Sequence, residues 1–154
     1  MTSDAITQST SKRSSLVTIV AAILVDTGPF VAWIVRREPA HAEVREFIDT
    51  FDGELITTWP VLTEACHLLP QYAVVRFMQW IAGGGAQVHD MRAAAGEISA
   101  LMDRYSDLPM DLADASLVWL AGATGVTDVL TLDETDFGIY RLPDGKRFRN
   151  ALRR

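Results

Sequence analysis

Residues 16–29 read LVTIVAAILVDTGP, and the fold turns on this stretch. Its apolar part, Leu16 to Val25, is rich in Val and Ile and ends abruptly at Asp26-Thr27-Gly28-Pro29. Lys12 and Arg13 precede it in the manner of a secretory leader, but no small-x-small cleavage pattern follows. A helical bilayer span needs roughly 20 apolar residues, and this run falls well short. A near-continuous run of β-branched residues is what a parallel strand buried on both faces requires. The reading is therefore a central strand with an acid at its carboxyl end. Residues 1–15 are Ser/Thr-rich without periodicity and are expected to form a disordered extension, so the domain is placed at 16–150, with 151–154 a basic tail.

Outward from this strand, helix-like and strand-like segments alternate. Phe30, Trp33 and Ile34 have helical spacing after Pro29, and residues 40–50 place Val44, Phe47 and Ile48 on one face. Residues 55–58 read as a second strand. Pro60 opens a helix carrying Glu64, which Pro70 interrupts, and Gly83-Gly84-Gly85 stops the next one. A third strand is expected at 86–89, a helix at 92–105, and a helix capped by Asp111 that runs to Ala123 and stops at Gly125. Val129 to Leu132 is the fourth strand, and the remainder holds at most one more. Such alternation implies an α/β fold, three layers deep, around a mainly parallel sheet of four to five short strands.

Composition fits one globular domain: 154 residues, 49% hydrophobic and 22% charged. The single cysteine, Cys66, excludes an internal disulfide and a thiolate zinc site. A net charge of −6 argues against a general nucleic-acid coat protein, yet residues 141–154 hold six basic residues against Asp144 alone. That local charge of +5 leaves the preceding 140 residues at −11.

The chemistry lies in where the acids fall. Asp26 and Asp133 each follow a strand directly, at the end where open α/β sheets place their ligand crevice. Glu64 sits early in a largely apolar helix, and Asp111 and Asp114 are three residues apart, on one helix face. Buried carboxylates without nearby lysine or arginine need a counter-charge, and an all-oxygen donor set suits magnesium or manganese. Singly, each acid also has a plain structural use as turn former, helix surface residue or cap. His41, His67 and His89 are scattered and receive no role.

Asp26-Thr27-Gly28 after a strand, Thr63-Glu64-Ala65, Asp111-Leu112-Ala113-Asp114-Ala115 and Leu130-Thr131-Leu132-Asp133 together resemble, in order and spacing, the motifs of PIN-domain nucleases, most closely the VapC toxins. The resemblance spans about residues 18–150. It implies an Mg2+- or Mn2+-dependent endoribonuclease in which Asp26, Glu64, Asp114 and Asp133 are both catalytic and metal-binding. Asp111 and Asp136 stand as alternatives and Thr27 as a supporting residue. It further implies an RNA substrate, a cognate antitoxin, a homodimer, and a cytoplasmic setting without membrane association. Phe30, Trp33, Ile34, Phe47 and Trp59 are the expected lining of an antitoxin groove, although residues of this kind are more often core than interface. Two other readings start from the same residues. A haloacid-dehalogenase-like phosphatase would want an acid where Gly28 stands and a lysine downstream, and the only lysines, Lys12 and Lys146, are badly placed for it. A PIN-like module that only binds a partner would have no need of the acids.

Overall fold

The computed structural model describes residues 20–108 and 110–153. Within them, five strands form one sheet: β1 (Ala22–Val25), β2 (Glu54–Thr58), β3 (Gln87–His89), β4 (Asp128–Leu130) and β5 (Arg149–Asn150). The order is β3-β2-β1-β4-β5, and every pairing is parallel. Seven α-helices connect them: α1 (Thr27–Ile34), α2 (His41–Thr50), α3 (Trp59–Leu68), α4 (Gln71–Ala82), α5 (Ala95–Arg104), α6 (Leu112–Thr124) and α7 (Glu134–Ile139).

The central strand has the burial its composition demands. Ile23, Leu24 and Val25 are at most 1% exposed, and successive residues of a strand point to opposite faces. Both faces of the sheet are therefore covered, which makes the three layers. β2 repeats the pattern, with Leu55, Ile56, Thr57 and Thr58 all buried. Its two threonine hydroxyls are satisfied inside: Thr57 donates to the Val25 carbonyl at 2.9 Å, and Thr58 shares a hydrogen with Ser116 of α6 at 2.5 Å. Buried hydroxyls held in this way tie the sheet to its neighbours without an unpaired polar atom.

β1 is shorter than the apolar run that announced it. Pairing with β2 begins at Ala22, and Val20 is half exposed, because the flanking strands are too short to pair more of it. Residues 16–19 and the expected extension at 1–15 lie outside the described residues. The turn before β2 requires Gly53, since a Cβ there would lie 2.3 Å from the Ala21 carbonyl oxygen. Gly125 ends α6 at φ +75°, the left-handed position that glycine fills without steric penalty.

Three further differences from expectation have physical causes. The helix expected at 92–105 begins as a 3-10 turn, Arg92–Ala94, before α5. The fourth strand ends at Leu130, so Thr131 and Leu132 belong to the loop above the sheet. α7 was not expected at all. It is only six residues long, too short for an apolar period to show, and it forms because Asp133 caps it and Phe137 is buried beneath it.

The early-helix groove is largely filled. Phe30 is fully buried against Phe77, Trp33 lies against Trp80 with ring centroids 4.7 Å apart, and Ile34 and Phe47 pack on the core. Only Trp59 of that set stands half exposed. Nor are Arg149 and Arg153, among the described basic residues near the C-terminus, free. Arg149 pairs with Asp128 at 2.8 Å, and Arg153 reaches Glu134 at 2.5 Å and Glu43 at 3.5 Å. Ala151 is buried.

Candidate active site

In this strand order the chain leaves β1 toward β2 on one side and later adds β4 on the other. The reversal falls between β1 and β4, and at that point the two flanking connections diverge to leave a crevice beyond the carboxyl ends. An open cleft of about 870 Å³ occupies this position. Asp26, Glu64, Asp111, Asp114, Asp133 and Asp136 all line it. The topology thus gathers acids separated by up to 110 residues.

Each acid is positioned by a specific local device. Asp26 follows β1, and its amide donates to the Leu130 carbonyl at 3.0 Å, extending the β1–β4 ladder by one residue. Its side chain is 8% exposed. One carboxylate oxygen accepts the Thr27 amide at 2.7 Å, where α1 begins, and the other accepts the Thr131 hydroxyl at 2.8 Å. Thr27 in turn donates its hydroxyl to Glu64 at 2.6 Å, which links the end of β1 to the middle of α3. Asp111 caps α6 by accepting the Asp114 amide at 2.8 Å, and Asp133 caps α7 by accepting the Asp136 amide at 2.9 Å. Acids at these helix starts also meet the positive end of each peptide dipole.

Asp114 lies one turn into α6 and accepts a 2.9 Å hydrogen bond from the hydroxyl of Tyr140, a fully buried residue just beyond α7. Leu112 beside it is 47% exposed, so the apolar surroundings expected around Asp114 are less complete than the sequence suggested. Thr131 has a double role. It donates to Asp26 and accepts the Asp133 amide at 3.0 Å, and the Asn150 side chain holds its carbonyl at 3.1 Å.

Crowding acids in partial isolation from water has the expected electrostatic result. Burial, then the charges of Glu64 and Asp111, push Asp26 up to about 6 against the lowering by Thr131 and Thr27. Burial followed by repulsion from Asp111 and Asp26 lifts Asp114 to about 7, despite the Tyr140 hydroxyl. Asp136 is raised as well, by desolvation and then by Asp133. The Tyr140 phenol moves up strongly because it is buried and donates to a carboxylate. Arg153 is the one lysine or arginine among the described residues lining the cleft, and Glu134 and Glu43 already engage it.

The donor set fits a hard divalent cation: it is entirely oxygen, anionic and under-neutralised, with no thiolate or imidazole lining the cleft. Among the described residues no group of three or more Asp, Glu, His or Cys side chains stands close enough together to hold a metal ion. Asp26, Glu64, Asp114 and Asp133 therefore share one cleft, together with both alternatives and Thr27. Reading the sequence missed Thr131 as the brace between two acids, Tyr140 as the partner of Asp114, and Arg153 at the rim. Thr131 lay in plain view two residues before Asp133, whereas nothing local marks Tyr140 or Arg153.

Similarity to known proteins agrees with this geometry. The PIN domain matches the chain over residues 23–143. Ribonuclease VapC26 of Mycobacterium tuberculosis (strain ATCC 25618 / H37Rv) is 30% identical over 131 residues, spanning 82% of this chain and 97% of that protein. The crystal structure of Mycobacterium tuberculosis VapC20, described as a sarcin–ricin loop cleaving toxin, shares the fold. Its TM-score is 0.68 at 18% identity, covering 73% of this chain and 91% of that one. With its carboxylates gathered at the β1–β4 reversal and its relatives of that type, the chain belongs to the PIN-domain family, in the company of the VapC ribonucleases.

Proposed function

We propose that this protein is an Mg2+- or Mn2+-dependent endoribonuclease and the toxin of a toxin–antitoxin pair, with residues 16–150 as its catalytic unit. The observation that carries this reading is the crowding of eight acidic residues around one cleft, among them Asp26 and Asp114, which burial and neighbouring carboxylates raise to about 6 and about 7. A scaffold that only bound a partner would gain nothing from such repulsion. Gly28 also lines the cleft where a phosphatase of the dehalogenase kind would need its second acid.

Asp26, Glu64, Asp114 and Asp133 would hold the cation, with Asp111 and Asp136 as further oxygen donors. When bound, it supplies Lewis acidity to water and to a phosphodiester. The remaining work falls to the chain. Thr27 and Thr131 fix the rotamer of Asp26, and Thr27 also fixes Glu64. Tyr140 holds Asp114 as the ionised acceptor. Glu64 and Asp133, one half buried and one exposed, would complete the ligand set or orient the attacking water.

An acid cleft also invites a basic side chain as inhibitor, and the partner expected here is an antitoxin whose arginine or lysine enters the cleft and displaces the cation. A homodimer in the cytoplasm completes the reading; among the described residues no helix is long and apolar enough to cross a membrane. The test is RNA cleavage by the purified chain with Mg2+ or Mn2+ and with EDTA. Cation-dependent cleavage that Asp26→Asn and Asp114→Asn both abolish is the expected result. Undiminished cleavage by Asp114→Asn would remove that residue from the site.

A further inference from the structure

We infer that the open groove next to the acid cleft is a subsite for an unpaired nucleobase of the substrate, which stacks on the indole of Trp59. The inference deepens the nuclease reading and rests on it. Trp59 opens α3 and is 50% exposed, and Leu112 at the start of α6 is 47% exposed. With Pro60 and Met91 they line one open, mainly apolar groove. Large apolar side chains are left in water here at the joint of two helices, whereas Trp33 and Trp80 pack on each other.

The position of this groove names its occupant. Glu64 and Asp111 line both the groove and the acid cleft, so the two are continuous. An RNA chain with its scissile phosphate among the acids has a neighbouring nucleotide over Trp59. That nucleotide offers a flat π-face and an anionic linkage. The groove answers the π-face with an indole; for the linkage it offers, from the start of the turn before α5, the exposed guanidinium of Arg92, the one lysine or arginine among described lining residues that also include Glu64, Asp90 and Asp111. Bases inside a duplex already have both faces stacked, so the subsite selects single-stranded RNA or loops.

The test uses the full chain, Mn2+ and a single-stranded RNA oligonucleotide of mixed sequence whose cut sites are mapped first. Copies carrying one abasic nucleotide at each position flanking the cut are then compared. For the wild type, one abasic position should raise KM about tenfold with kcat nearly unchanged. Trp59→Ala should show the same rise with intact RNA and no further response to that abasic position, while Trp59→Phe recovers most of the loss. Circular dichroism establishes that Trp59→Ala is folded; if it is not, the wild-type abasic scan and Trp59→Phe decide. A flat abasic scan, or a Trp59→Ala variant as sensitive to the abasic site as wild type, overturns the subsite alone. So does light scattering in which Trp59→Ala splits a dimer while the abasic response persists, which gives the groove to a second copy. No cleavage of RNA by the wild type overturns the nuclease reading and the subsite together.

Discussion

Replacing Asp26 with Asn should make the metal-free protein more stable at mildly alkaline pH and no more stable at acid pH. Asp26 is 8% exposed, and burial is the first cause that lifts its carboxyl from 3.8 to about 6. At 1.36 kcal/mol per pH unit, keeping this charge in the folded state costs about 3 kcal/mol above its titration range. The sign follows from proton uptake. A carboxyl raised on folding binds its proton more tightly in the native state, so its contribution is complete below the unfolded value and is lost as pH rises through about 6. Asn abolishes that slope. It keeps an oxygen for the Thr27 amide but turns an NH2 group toward the Thr131 hydroxyl, which now donates to Asp26 and must rotate its proton away. One compromised hydrogen bond costs about 1 kcal/mol, which leaves a net gain of about 1–2 kcal/mol. The assay is urea denaturation in EDTA at about pH 8 and about pH 4.5, where the wild-type carboxyl is charged and neutral respectively. A variant less stable than wild type at the higher pH would refute the view of Asp26 as a strained, cation-seeking charge.

Other outcomes follow from the same geometry. Mn2+ should raise the melting temperature more at about pH 8 than at about pH 5.5, because protons compete for the raised carboxyls of Asp26 and Asp114; thermal scans with and without the ion test this. Tyr140→Phe removes the hydrogen bond that lowers Asp114, so the acid limb of the metal-dependent pH–rate profile should move up by as much as about one pH unit. An unmoved limb would mean that Asp114 does not control it. Thr131→Val keeps the shape but strips Asp26 of a donor and the Asp133 amide of an acceptor, which should cost about 1–3 kcal/mol in denaturant unfolding.

Strand and helix order could be read from the chain because each signal was local. β-branched runs, Pro60 and Pro70, the triple glycine and the Asp111 cap all act within a few residues, and the helices and strands lie where those residues put them. The acids were legible for the same reason, standing at strand ends or on helix faces. What connects them was not. The Tyr140 hydroxyl reaches Asp114 across 26 residues, and the Thr131 hydroxyl reaches Asp26 across 105. Such contacts depend on sheet order, which no local pattern encodes. α7 was hidden by its shortness, and the exposure of Leu112 by a groove that exists only once α3 and α6 are packed.

Asp26, Asp111 and Asp133 each begin a helix as well as face the cleft. An acid with two duties can lose one and keep the other. Asn caps a helix about as well as Asp does, and a single base change converts an aspartate codon to an asparagine codon. At Asp111 or Asp133 that step would preserve the start of α6 or α7 while removing a charge from the cleft. Descendants of this chain thus have a short mutational path from a crowded acid cleft to a partly neutralised one that never passes through an unfolded protein. Drift along that path would be invisible to selection for stability, and it would show only as asparagine appearing where helices begin.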